Sequence, residues 1–195
     1  MAKKPSTFPN MVMTLFVVTL LAAALLGSVY ALTKEPIRLA DLAKKNEAIE
    51  AVIKGFDNNP TEQAEKIGMD GDTVILYHAM QNGQYIGSAV ETFSDNGFSG
   101  RIKLMVGFNP DGTIRDVAVV DHEETPGLGD KMEQDKSDFH VQFQGMHPDE
   151  FDLRVEKDNG DVDAITASTI SSRAYCEAVK RAWEAFQKAE KATNP

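Results

Sequence analysis

From Met11 to Leu32 the chain runs for 22 residues without a charged side chain, mostly Leu, Val and Ala. A helix of that length rises far enough, at about 1.5 Å per residue, to cross a hydrocarbon core of about 30 Å. The run is therefore predicted to be a membrane anchor. A cleavable secretory signal competes with that reading, because Val29-Tyr30-Ala31 offers small residues to a signal peptidase. The apolar part of such a signal, however, ordinarily spans only about 7–15 residues. Lys3 and Lys4 precede the run while Lys34, Arg38, Lys44 and Lys45 follow it. The positive-inside count does not decide orientation, and the short basic tail favours the N-terminus inside.

The 195 residues leave room for one globular domain beside this appendage. With Lys3 and Lys4 set aside, 18 of the 20 basic side chains face 30 acidic ones, a formal charge of −12. Such a surface repels nucleic acid and anionic lipid, so neither is an expected partner. The single Cys176 excludes an internal disulfide, a Cys-ligated iron–sulfur cluster and an all-cysteine zinc site. It is expected to be a small buried residue on a helix.

Beyond the run, Leu39, Leu42, Ile49, Val52 and Ile53 recur at helical spacing between Ile37 and Phe56, with Gly55 near the end. This predicts a helical stalk, broken by Asp57-Asn58-Asn59-Pro60. From Thr73 the period becomes two. Val74, Leu76 and Met80 alternate with Ile75, Tyr77 and Ala79, and Gln81-Asn82-Gly83 turns the chain into Gln84 to Thr92. A second hairpin pairs Ile102 to Phe108 with Thr113 to Val120 through Asn109-Pro110-Asp111-Gly112. These make an antiparallel sheet of about four strands with one apolar face, and Phe151 to Glu156 alternates as a further strand would. Tyr175, Val179, Ala182, Trp183 and Phe186 form one stripe of a C-terminal helix expected to cover the sheet. The fold class is α+β: an N-terminal transmembrane helix followed by an antiparallel-sheet domain packed with helices. The boundaries are 1–33 for tail and anchor, 34–72 for stalk and linker, and 73–195 for the domain.

Two stretches carry candidate chemistry. In "DAITASTISS", Thr166, Ser168, Thr169, Ser171 and Ser172 stand immediately before that helix. One hydroxyl suffices for a cap, while a helix N-terminus flanked by hydroxyls is also a natural phosphate site, and both readings stand. In "HEETPGLGDK", Gly127 and Gly129 permit backbone geometries closed to other residues and let a flat ligand approach the main chain. The stretch lacks the third glycine of a dinucleotide fingerprint, and no Walker loop, HExxH or G-x-S-x-G motif is present. Neither a metal ion nor a catalytic acid–base set is expected, and His78, His122, His140 and His147 are assigned to packing or surface.

Together with "GRIKLMVGFNPDGTIRDVAVVDH", these stretches resemble the FMN-binding domain family. That family is found in the G subunit of the Rnf ion-translocating electron-transport complex and in the C subunit of the sodium-pumping NADH:quinone reductase. The resemblance runs from about Gly83 to Ala185, and chain length favours the G-type subunit. In that family a flavin transferase cleaves FAD and joins FMN, through its phosphate, to the last threonine of Asp-x-x-Ser/Thr-Gly-Ala-Thr. Carried over, Asp163 takes the acidic position, Thr166 the first hydroxyl and Thr169 the covalent acceptor. This chain departs with Ala167 for glycine and Ser168 for alanine, which makes Ser168 a second hydroxyl beside the acceptor. The resemblance further implies that Thr125, Gly127, Leu128 and Gly129 meet the isoalloxazine ring, with Glu124 and Lys131 as secondary contacts.

The implied function is electron carriage by covalent FMN in an Rnf-type ion-translocating ferredoxin:NAD oxidoreductase, as a redox subunit without turnover of its own. The implied place is a single pass in the inner membrane with the domain in the periplasm, beside the complex's membrane subunits. Three alternatives remain: the C subunit of a sodium-translocating NADH:quinone reductase, a non-redox, membrane-anchored adaptor of the same fold, and a secreted phosphate-ligand domain with a mature N-terminus near Leu32.

Overall fold

A computed structural model describes residues 7–69 and 71–193 of the chain; Lys3 and Lys4 lie outside them. The chain divides between Ala43 and Lys44 into two compact units. One long helix, α1, covers Phe8–Val52. In the first unit, its apolar side chains from Met11 to Leu32 are exposed, with a mean hydropathy of 2.4 in the most apolar window. By length and composition this helix is able to cross a membrane. Its hydroxyls are satisfied within the helix: Thr14, Thr19, Ser28 and Thr33 each donate to the carbonyl four residues earlier, at 2.7–2.9 Å. An apolar medium imposes that requirement, because it offers no other acceptor. Pro36 sits inside the helix.

In the second unit five strands form an antiparallel meander in chain order: β1 (Glu65–Met69), β2 (Asp72–Gln81), β3 (Gln84–Ser94), β4 (Ile102–Phe108) and β5 (Ile114–Asp121). The first hairpin closes through Asn82 and Gly83, both at positive φ (51° and 75°), the combination that matches strand twist in a two-residue turn. The second closes through Asn109 to Gly112, where Thr113 N–H and hydroxyl both donate to Asp111. β1, inside the stretch assigned to the linker, adds a strand to the expected four. It pairs with β2 from Glu65↔Leu76 to Met69↔Asp72.

The sheet is covered on both faces, not one. Helix α2 (Thr169–Thr193) lies over the first face, where Leu76, Val90, Leu104, Val106 and Phe108 meet Tyr175, Val179, Ala182 and Phe186. On the other face Tyr77, Ala79, Ala89, Met105 and Ala118 pack against Ala48, Ile49, Val52 and Ile53. The end of α1 is thus a core element rather than a free stalk. Small side chains in β2, β3 and β5 make its approach possible, and at Gly107 a Cβ would stand 2.6 Å from the Val52 carbonyl oxygen. Covering both faces explains why β4, and β3 from Gly87 onward, are almost wholly buried.

Phe151 to Glu156 is not a strand. Leu153 and Val155 are buried, as their alternation implies, but the backbone bonds turn back on residues 161 and 162 and leave one isolated Val155↔Val162 bridge. Alternation here reports two side chains entering the core from an irregular loop.

Within α2, burial pushes the Cys176 thiol up to about 12 and holds the Tyr175 phenol well above its ordinary value. Both groups keep their protons in the fold but release them in the unfolded chain near pH 9.0 and 10.0. Their contribution to stability is complete below those values and falls as pH rises through them, by about 1.4 kcal/mol per pH unit for each ionising group. Urea unfolding of the protein is expected to need less denaturant from about pH 9 upward, and iodoacetamide at about pH 8 is expected to label Cys176 only as fast as the domain unfolds.

Candidate functional site

The five hydroxyls before α2 have different duties. The Ser168 carbonyl accepts the Ser172 N–H at 3.0 Å, the first bond of the helix. Ser172 Oγ accepts the Ile165 N–H and donates to the Ser168 carbonyl, both at 3.0 Å, closing the loop that enters the helix. Ser171 Oγ donates to Glu124 Oε2 at 2.7 Å, so the 2.9 Å contact with Ser168 Oγ takes the Ser168 proton. Ser168 is only 8% exposed. Thr169 is half-buried, and its Oγ1 accepts from the Lys157 ammonium at 3.1 Å, which leaves its own proton free to be given up. Thr166 is exposed.

Glu124, buried at 5% exposure, ties three segments together. Oε2 takes the Ser171 hydroxyl and Oε1 takes the Ser99 N–H at 3.1 Å, from the β3–β4 loop. Its own N–H donates to His122 Nδ1 at 3.0 Å, which places the ring proton on Nε2, 2.6 Å from Glu133 Oε1. Gly129 closes this knot: a Cβ there would lie 2.5 Å from Glu124 Oε2 and 2.8 Å from Ser171 Oγ. The following Asp130 is also buried; burial opposes its charge, but the Lys136 ammonium at 3.1 Å holds its carboxyl below the ordinary range.

These segments enclose a cleft of ≈ 300 Å³. Thr125, Leu128 and Gly129 line it from one motif, Ser168 and Thr169 from the other. Gly127, at φ +80°, shapes the loop without lining the cleft. Asp163 and Thr166 border a neighbouring cleft with Lys131, where the Gln142 side chain holds the Asp163 N–H and carbonyl at 2.9 and 3.3 Å. Sequence reasoning missed Phe98, Ile170 and Lys157. Phe98 between Gly97 and Ser99 offered a signal, an aromatic ring in a loop too small-residued to bury it; Lys157 offered none, since the 155–162 loop brings it to Thr169. Phe98, Leu128 and Ile170 expose 67%, 41% and 46% of their surface around the cleft. An apolar rim leading to a hydroxyl, an ammonium and free helix N–H groups suits a ligand with a planar apolar part and a phosphate.

Ala167 stands at φ +63°, a left-handed conformation that costs an L-residue roughly 1–2 kcal/mol. Glycine, which stands at this position in the motif that the stretch resembles, adopts such a geometry without that strain. Ala167→Gly is expected to relieve that strain, less about 0.5–1 kcal/mol for the freer unfolded chain. The net gain, roughly 0–1.5 kcal/mol and centred near 0.75, is read as a higher midpoint in urea.

Comparison with known proteins gives the same answer as the geometry. The FMN-binding domain family matches residues 97–184, a span that contains every residue of the cleft. The G subunit of the ion-translocating oxidoreductase complex of Vibrio cholerae serotype O1 (strain M66-2) is 36% identical over 173 residues, covering 84% of this chain and 82% of the relative. Its counterpart in Pasteurella multocida (strain Pm70) is 36% identical over 179 residues, 86% and 87% of the two chains. That of Shewanella oneidensis is 41% identical over 135 residues, 65% and 63%. The chain belongs to the family of ion-translocating oxidoreductase complex G subunits and carries an FMN-binding domain matched over residues 97–184.

Proposed function

We propose that this protein carries FMN as a phosphoester of Thr169 and passes electrons through it within an Rnf-type ion-translocating ferredoxin:NAD oxidoreductase. The observation that supports this most is the meeting of both motifs in one cleft, with Thr169 as its accessible hydroxyl and Lys157 beside it. The residues present fit the group. FMN, when bound, supplies reversible electron uptake. Lys157 and the first N–H groups of α2 offset the charge of its phosphate. Leu128, Phe98 and Ile170 give the ring apolar contact, and Thr125 and the loop backbone offer it hydrogen bonds.

Attachment is a displacement at a phosphoanhydride. The Thr169 hydroxyl oxygen forms a bond to the FMN phosphorus of FAD, the bond to the oxygen bridging the two phosphates breaks, AMP leaves, and the threonine proton passes to solvent. A flavin transferase acting on this chain performs that step. Thr169 is favoured over Ser168 because the Ser168 proton is committed to Ser171 and its side chain is buried. The exposed apolar side chains of α1 support a single pass in the inner membrane, and the short basic tail before it favours the domain in the periplasm, beside membrane subunits of the complex. Covalent attachment there keeps the cofactor from diffusing away.

Co-expression with a flavin transferase, followed by in-gel flavin fluorescence under denaturing conditions, tests the acceptor. Wild type and Ser168→Ala are expected to fluoresce and Thr169→Ala to be dark. Fluorescence lost only with Ser168→Ala would reassign the acceptor, and a dark wild type would favour the adaptor. Lys157→Met is expected to label at least several-fold more slowly while folding normally by circular dichroism, since one charge-assisted contact of about 1.5–3 kcal/mol is removed.

A further inference from the structure

Where the C-terminal end of α2 crosses β2 and β3, a second cleft of ≈ 520 Å³ opens. It borders Phe186 and Glu190, about 25 Å along the helix from Thr169 at 1.5 Å per residue, so it is not part of the flavin site. Leu76, Met80, Pro110 and Phe186 give it apolar walls. Its polar lining includes Gln63 and a chain of three side chains: Tyr85 Oη lies 2.8 Å from Ser88 Oγ, and Ser88 Oγ lies 3.1 Å from His78 Nδ1. His78 Nε2 then lies 3.7 Å from Glu65 Oε2. Ser88 is fully buried.

The carboxyl beside Nε2 favours a proton on that nitrogen, which makes Nδ1 an acceptor. Ser88 must then donate to His78, and with its one proton spent it accepts from Tyr85. What the chain presents to the cleft is therefore the lone pairs of Tyr85 Oη, while the Glu65 carboxyl stands against His78 and outside the lining. Glu190 adds a second carboxyl at the mouth. No Lys or Arg lines the cleft among the described residues, and Lys188, nearby on α2, donates to the Gly68 carbonyl at 3.0 Å. Apolar walls, an aromatic acceptor, one carboxyl in the lining and another against the lining His78, with no Lys or Arg among the described lining residues, together define what would fill the space.

We propose that this cleft binds an ammonium group on an apolar stem, supplied either by a free amine or by a lysine side chain of a neighbouring protein. The stem lies along Leu76, Met80 and Phe186. The ammonium donates to Tyr85 Oη and is drawn by Glu65 and Glu190, with the Tyr85 ring as a further attraction.

The test uses the full chain in lipid nanodiscs, with phenethylamine as probe and phenethyl alcohol as its uncharged counterpart, empty nanodiscs being subtracted. Calorimetry measures affinity. The emission of Trp183, whose ring stacks on Phe186 at 5.7 Å, reports occupancy. The amine is expected to bind roughly tenfold more tightly than the alcohol and to change Trp183 emission. The double variant Glu65→Gln, Glu190→Gln is expected to lose that preference without loss of the folded far-ultraviolet spectrum. Equal binding of amine and alcohol, a preference kept by the double variant, or no binding of the amine would overturn the proposal. Repeating the titration on the complex purified through a tag on this chain separates the sources. Retained binding assigns a free amine, and loss with a lysine crosslink to the cleft assigns a neighbouring protein. Loss without such a crosslink leaves neither source and overturns the proposal. None of these readouts depends on flavin attachment.

Discussion

The two oxygens of Glu124 are each taken by a different segment, Ser99 from the β3–β4 loop and Ser171 from the first turn of α2. A buried carboxyl costs several kcal/mol of desolvation unless hydrogen-bonded, so it is tolerable only while both donors stay in place. That requirement locks the glycine loop, the β3–β4 loop and the helix entry into one geometry. Gly129 lets them close to contact distance. The rim residues Phe98, Leu128 and Ile170 belong one to each of the three segments, so the shape of the cleft follows from this one carboxyl. By drawing on Ser171 and, through it, Ser168, Glu124 also leaves Thr169 as the half-exposed hydroxyl that lines the cleft.

The sheet gives this knot a rigid base. Helix α2 is held along β3 and β4 by its apolar stripe and by Thr92, whose hydroxyl donates to the Ala178 carbonyl at 2.9 Å. Its N-terminus is thus fixed against the loops that follow β3 and β5. Rigidity of this kind keeps a bound redox group at constant distance from its donors without demanding any motion of the chain. The last turns of α1, packed on the opposite face, complete that base.

Both hairpins, the C-terminal helix and the apolar run were legible, because each rests on local signals: period two with Asn-Gly or Asn-Pro-Asp-Gly turns, period 3.6, and length without charge. The covering of the second face was not, since Ala48 to Ile53 read as the continuation of a stalk and only Gly107 and the small residues opposite hinted at contact. The same limit misplaced Phe151 to Glu156, whose alternation reflects burial without strand partners. In the site, the hydroxyl cluster and the glycine loop stood out as motifs. Which hydroxyl was committed and which available depended on Glu124, 47 residues before Ser171, and on Lys157, so no local pattern carried it.

A single hydroxyl, that of Thr169, is proposed to bear the flavin, and one peptide decides it. Trypsin releases the stretch from Asp158 to Arg173, which contains all five hydroxyls of the helix entry. Electron-transfer fragmentation of that peptide, from protein matured with a flavin transferase, locates the added mass residue by residue. FMN less one water is expected on Thr169, with Thr166, Ser168, Ser171 and Ser172 unmodified. The same mass on Ser168 or Thr166, or a peptide recovered without it from a flavin-containing protein, would contradict that assignment.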